Sequence, residues 1–122
     1  MSIKDIINEF DLIKVNTISL EQKLQWIEDL ENIARLSVLD SYEDIDRRVI
    51  GKESLDKEPL IKPPFQRLYI LYMLAMLSFE LDSTDEYNSY VDGYNYEMAC
   101  FMDYVTRTKN VKKSEKIGFN KQ

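Results

Sequence analysis

Six apolar side chains, Tyr87, Val91, Tyr94, Met98, Phe101 and Val105, recur at alternating spacings of four and three residues. That rhythm is a helix presenting one continuous stripe to a partner. Just upstream, Leu68 to Phe79 reads LYILYMLAMLSF without a charge. A helix apolar nearly all round is packed on most of its sides. The polar run Asp82-Ser83-Thr84-Asp85-Glu86 separates the two, with Ser83 three residues before Glu86 as a helix-start signal. Helices joined by so short a turn lie antiparallel, so an αα-hairpin is predicted, its central helix spanning Phe65 to Leu81. Pro64 is expected in the first turn of that helix, where its missing N–H has no partner to lose. Gly93, costly inside a helix, suits a close contact between the pair.

The first half of the chain supplies two more helices. Ile3, Ile6, Ile7 and Phe10 mark a short amphipathic helix that Ser2 can cap. Val15 to Ile18 is a linker, and Ser19-Leu20-Glu21-Gln22 is a capping-box signature. Leu20, Leu24, Ile27, Leu30 and Ala34 then trace one face of a helix from about 20 to 38. Glu21, Lys23, Gln25, Glu28, Asp29 and Glu31 lie mostly off that face, and Trp26 at its edge is expected to straddle core and surface. Leu24, Ile27, Leu30, Leu71, Leu74, Ala75, Tyr94, Met98 and Phe101 are the predicted shared core.

From Ser41 to Pro64 no apolar period survives. Charges crowd together around Gly51, and Pro59, Pro63 and Pro64 punctuate the end. This reads as a long loop with a short extended piece at Arg48–Ile50, mobile in the free chain and ordered by a partner. With 122 residues, three glycines and three prolines, one helical domain is favoured over a sheet-rich fold. The predicted fold is all-α: a small bundle of about four helices with a long 41–63 loop and a C-terminal tail. Residues 1–108 form the helical domain and 109–122 a basic arm.

Catalytic chemistry finds little purchase. No histidine is present, which removes the usual proton shuttle and the commonest nitrogen ligand for metals. Cys100 is the only cysteine and falls in an apolar helical pattern, where such a residue fills core space. The glycines stand alone at 51, 93 and 118, so no phosphate loop is formed. Asp40, Glu43, Asp44 and Asp46 sit beside Arg47 and Arg48 and lack the spacing of a calcium loop, so a solvated loop is expected. The reading is a protein that is not an enzyme, with no catalytic, cofactor-binding or metal-binding residue. The apolar run from Leu68 spans twelve residues where a membrane-crossing helix needs about 20, so no membrane partner is expected. The polar, acidic start Met1–Asp5 does not read as a signal peptide.

Charge and aromatics point toward protein partners. Residues 107–122 hold six basic residues and one acid, a net +5, while residues 1–106 hold ten basic and 21 acidic residues, a net −11. Such asymmetry suggests a docking arm. Lys109, Lys112, Lys113 and Lys116 supply its charge, and Ile117 and Phe119 its apolar anchors. Tyr69, Tyr72, Tyr87, Tyr90, Tyr94, Tyr96 and Tyr104 all fall on the last two helices and cover more than one face. Tyr90, Tyr96 and Tyr104 lie off the stripe, open equally to boundary packing and to a subunit interface.

Several stretches recur in order: Trp26-Ile27-Glu28-Asp29-Leu30, then Pro64-Phe65-Gln66-Arg67-Leu68-Tyr69-Ile70, then the run from Tyr87-Asn88 through Met98-Ala99 to Phe101-Met102-Asp103-Tyr104 and Arg107-Thr108. In these the chain resembles the head-tail connector (head-completion or adaptor) proteins encoded by tailed bacteriophages of Gram-positive hosts. It departs from them in a longer lysine-rich C-terminus and a divergent 41–62 loop. The resemblance implies a virion protein, assembled in the host cytoplasm, forming a ring with copies of itself, commonly dodecameric. The ring would sit below the portal protein, extend the DNA channel, and meet the tail or stopper protein. Genomic DNA would pass without sequence-specific binding, which an acidic wall favours because like charge prevents sticking. The rival class is a small cytoplasmic helical regulator or inhibitor that also acts by protein–protein binding.

Overall fold

A computed structural model of the chain describes residues 1–42, 45 and 47–108. The fold is all-α. Four helices, α1 (Ile3–Ile13), α2 (Leu20–Ser37), α3 (Arg67–Glu80) and α4 (Thr84–Thr108), are joined by a linker, a long loop with two single 3-10 turns, and a tight turn. The arm from Lys109 to Gln122 lies outside the described residues.

Each helix starts where side-chain chemistry lets it. Ser2 Oγ accepts from Asp5 N at 3.1 Å while Ser2 N donates back to Asp5 Oδ2 at 3.0 Å, a reciprocal cap on α1. Two further free N–H groups of that first turn, on Ile3 and Lys4, donate to the carbonyls of Lys57 and Leu55 in the long loop. At α2 the Ser19 half of the expected box forms, Ser19 Oγ accepting from Gln22 N. Glu86 does not close a box at α4. Its carboxylate reaches Lys14 Nζ at 2.8 Å and ties α4 to the end of α1. Nor does Pro64 open α3. Two successive turns, Phe65 N to Lys62 O and Leu68 N to Phe65 O, carry the chain past the prolines before the helix begins at Arg67.

The α3–α4 turn is a Schellman arrangement. Ser83 N donates to Ser78 O and Asp82 N to Phe79 O, with Asp82 in the left-handed region at φ 57°. A short polar side chain tolerates that region better than most. The two helices then run antiparallel. Gly93 meets α3 as expected, since a Cβ there would stand 3.3 Å from Leu71 Cδ2.

α3 occupies the centre, with Leu68, Tyr69, Ile70, Leu71, Met73, Leu74, Ala75 and Leu77 all buried. It is covered by Leu24, Ile27 and Leu30 of α2, Ile3, Ile6, Ile7 and Phe10 of α1, and Met98, Phe101 and Val105 of α4. Two residues depart from expectation. Trp26 is 2% exposed, because α1 folds across it and sets the Phe10 ring edge-on at 6.4 Å. Tyr94 is only half-buried, its ring tilted against Tyr72 at 5.8 Å.

α4 has 25 residues against 14 in α3, about 37 Å against about 21 Å. Its last turns therefore run on past the start of α3 and pack over the loop instead. Phe65 is the contact there, 5.5 Å from the Phe101 ring and 5.2 Å from the Tyr104 ring.

Candidate functional site

The long loop is anchored by buried carboxylates on α2. Glu28 and Glu31 are separated by three residues, hence share a face, and both are more than nine-tenths buried. Glu28 Oε1 accepts from Ile50 N at 2.9 Å. Glu31 takes the Arg48 guanidinium in a two-point contact, Nε to Oε1 and Nη2 to Oε2, both at 2.9 Å. Its Oε2 also accepts from Leu60 N at 2.8 Å and from the Tyr69 hydroxyl at 2.7 Å. Tyr69 in turn accepts from Ile61 N at 3.0 Å. Burial, reinforced by the Glu31 charge, pushes the Tyr69 phenol far above its ordinary value, so it stays a donor. The Glu31 carboxylate likewise holds the Arg48 guanidinium above its ordinary value.

This network revises one reading of the sequence. Glu28 and Glu31 are not surface residues but the acceptors that collect loop N–H groups. The described part of the loop packs onto the helices: Ile50, Pro59 and Ile61 are buried, and Arg48 and Ile50 bond to Glu31 and Glu28 of α2. The signal available in sequence was the i, i+3 pair of acids beside an apolar stripe, matched by Arg47-Arg48 downstream. Asp40 is bound as well, its Oδ2 3.0 Å from Arg35 Nη1.

Anchoring the loop builds a groove of about 260 Å³ against the end of α4. Leu39, Leu60, Pro63 and Phe65 form one wall, and Phe101, Tyr104 and Val105 the other. Pro63 and Phe65 stand out in the sequence only as punctuation and as a helix start, and Leu39 and Leu60 belong to no periodic pattern, so nothing local brings them together.

The three candidate interface tyrosines do not share one face. Tyr90 and Tyr104 lie about 40° apart around α4, and Tyr96 about 80–120° from them. Tyr90 is half-buried against the core, Tyr104 is 43% exposed beside the groove, and Tyr96 is 72% exposed. The neighbouring Cys100 holds the Tyr96 phenol above its usual value. At the other end of α4 a second apolar surface appears: Phe79 and Leu81 at the α3–α4 turn are 65% and 56% exposed. Leu12, Ile13 and Val15 are exposed too, at the end of α1 that the Lys14–Glu86 pair ties to α4. The proposed arm residues Lys109, Lys112, Lys113, Lys116, Ile117 and Phe119 lie outside the described residues.

Among the described residues no cluster of three or more potential metal ligands occurs, and no helix is long and apolar enough to cross a membrane. Comparison with protein-family models finds no match, and neither do comparisons with curated proteins and with solved structures.

Proposed function

We propose that this chain is a structural subunit of a tailed-phage head-tail connector, acting through protein contacts and not through catalysis. The observation that carries this reading is the pair of dissimilar apolar surfaces at opposite ends of α4. One is built on Tyr104 and the groove, the other on Phe79 and Leu81 at the α3–α4 turn. A subunit that joins its copies head to tail needs two different patches, and such contacts close into rings when the rotation permits. The ordered similarity of the Trp26, Pro64 and Tyr87–Thr108 stretches to connector proteins supports the same reading. So does the charge division between an acidic body and a basic arm suited to a neighbouring copy or the portal.

The deciding experiment is quantitative protein analysis of purified virions, together with native mass in the presence and absence of the portal protein. A fixed stoichiometry in the virion and a ring-sized complex on the portal are expected. A protein left behind in the cytoplasm and indifferent to the portal would favour the regulator class instead.

A further inference from the structure

We propose that the pocket at the α3–α4 turn receives an arginine side chain presented by a basic segment of a partner protein. The inference rests on that turn being a contact surface, as in the connector reading, and gives its partner a chemistry.

The pocket has a volume of about 300 Å³. Ser78 and Phe79 line it from the end of α3, Asp82 from the turn, and Tyr87 and Asn88 from α4. That is the lower edge of the roughly 300–1,000 Å³ usual for ligand sites, and it suits one long side chain. Phe79 is 65% exposed and its ring lies 5.9 Å from that of Tyr87, so the aromatic wall is open on one side. An open aromatic face attracts a cation, above all a planar guanidinium that can stack on it.

Charge selects the sign of the ligand. Glu80, Asp82, Asp85 and Glu86 fall within seven residues that hold no base. Lys14 pairs with Glu86. No lysine or arginine pairs with Asp82 among the described residues. α3 ends and α4 begins here, so their end charges, negative and positive, oppose each other and leave the carboxylates to decide. An anion is repelled from this turn and a cation is held.

Ser78 narrows the choice to a cation rich in donors. It lines the pocket, is 1% exposed, and its Oγ has no hydrogen-bond partner. Its own carbonyl is taken by Ser83 N. A buried hydroxyl left unpaired costs stability, so its partner is expected from outside the chain. A guanidinium carries several N–H donors in a fixed plane and no acceptor. One donor serves the Ser78 oxygen and another the Asp82 carboxylate, while the plane rests on the aromatic wall. A lysine ammonium offers a point charge without that plane. Free arginine would bring its own carboxylate into an acidic turn. An arginine within a chain does not, which makes a protein the source.

The test titrates the isotopically labelled full chain, alone, with the blocked tripeptide acetyl-Gly-Arg-Gly-amide and follows its amide and aromatic resonances. Expected are saturable shifts at Phe79, Asp82, Tyr87 and Asn88, with those of Leu24, Ile27 and Leu30 unchanged. The matching lysine and citrulline peptides should bind about two- to fivefold more weakly or not at all. Asp82→Asn, which keeps a residue suited to the left-handed turn, should weaken the arginine peptide by about the same factor. Ser78→Ala should also bind it more weakly, yet be at least as stable as wild type in urea, because an unpaired hydroxyl is removed. Equal binding of the three peptides, or shifts that never saturate, would overturn the proposal. So would full affinity in Ser78→Ala, or free arginine binding more tightly than the blocked peptide, which would make the ligand a small molecule. Because the chain is titrated alone, these outcomes are separate from those of the virion experiment.

Discussion

The Tyr69 hydroxyl donates to Glu31 Oε2 at 2.7 Å, linking the centre of the bundle to α2 across 38 positions of sequence. The Tyr69 hydroxyl oxygen also accepts from Ile61 N, so one phenol serves both the helix and the loop. Tyr69→Phe keeps the ring and removes both bonds, leaving a buried N–H unsatisfied. A loss of about 1–3 kcal/mol is expected, read as a lower urea midpoint with an unchanged slope.

Glu31→Ala should do more, because Leu60 N and Tyr69 lose their acceptor and Arg48 keeps only the Glu58 carbonyl. Removing one partner of a largely buried ion pair costs about 3–5 kcal/mol, and the partial exposure of Arg48 places this case at the lower end. Hydrogen exchange gives the sharper view. In the free wild-type chain the amides of Ile50, Leu60 and Ile61 should be protected, and in the variant Leu60 and Ile61 should exchange fast while mid-α3 amides do not. Fast exchange of all three in the wild type would restore the picture of a loosely held loop.

The helices were legible in sequence because their apolar residues repeat at helical spacing, and the Gly93 contact because a lone glycine in a helix has few other uses. The loop was not legible. Its anchorage depends on single residues, Ile50, Pro59 and Ile61, meeting partners on α2 and α3, and no local pattern encodes such meetings. Trp26 was misplaced for the same reason: its burial is supplied by α1, which no feature of α2 reveals. The groove combines both difficulties, since one wall is loop and the other is the overhang of α4, visible only once the lengths of α3 and α4 are set side by side.

Gly93 tests the helix pair directly. Alanine adds a Cβ at 3.3 Å from the Leu71 methyl, a contact that a small side-chain shift relieves, and it recovers up to about 1 kcal/mol of helix propensity. Gly93→Ala should therefore stay within about 1 kcal/mol of wild type by denaturant unfolding. Gly93→Val adds two methyl groups in the same space and should destabilise by about 1–3 kcal/mol through overpacking. Equal stability of the two variants would mean that α3 and α4 are farther apart at this position.

Met98→Asp places a carboxylate at a position 8% exposed, between α3 and α4. An unpaired charge there is among the most damaging of core changes, about 4 kcal/mol or more. Thermal unfolding should fall by well over ten degrees, or the chain should fail to fold. Near-native stability would refute the packing of α4 on α3.

Alkaline pH should unfold this protein through its tyrosines. Burial, helped by Asp29 and Tyr94, pushes the Tyr72 phenol up to about 12, and burial raises Tyr94 as well as Tyr69. In the unfolded chain a tyrosine ionises near about 10. Below that pH these phenols are protonated in both states and stability is insensitive to them. Between about 10 and 12 the unfolded chain sheds protons that the folded chain retains, so stability falls as pH rises through this window. Lys14, raised by its bond to Glu86, adds a change of the same sign. Urea midpoints should hold steady from neutral pH to about 9 and then decline. Tyr72→Phe should make that decline shallower. The tyrosinate absorbance should rise in two phases, the later one coinciding with loss of helical circular dichroism. A single titration that completes while the helical signal is intact would show that Tyr69 is open to solvent, contrary to its place in the core, and that Tyr72 is not held half-buried against it.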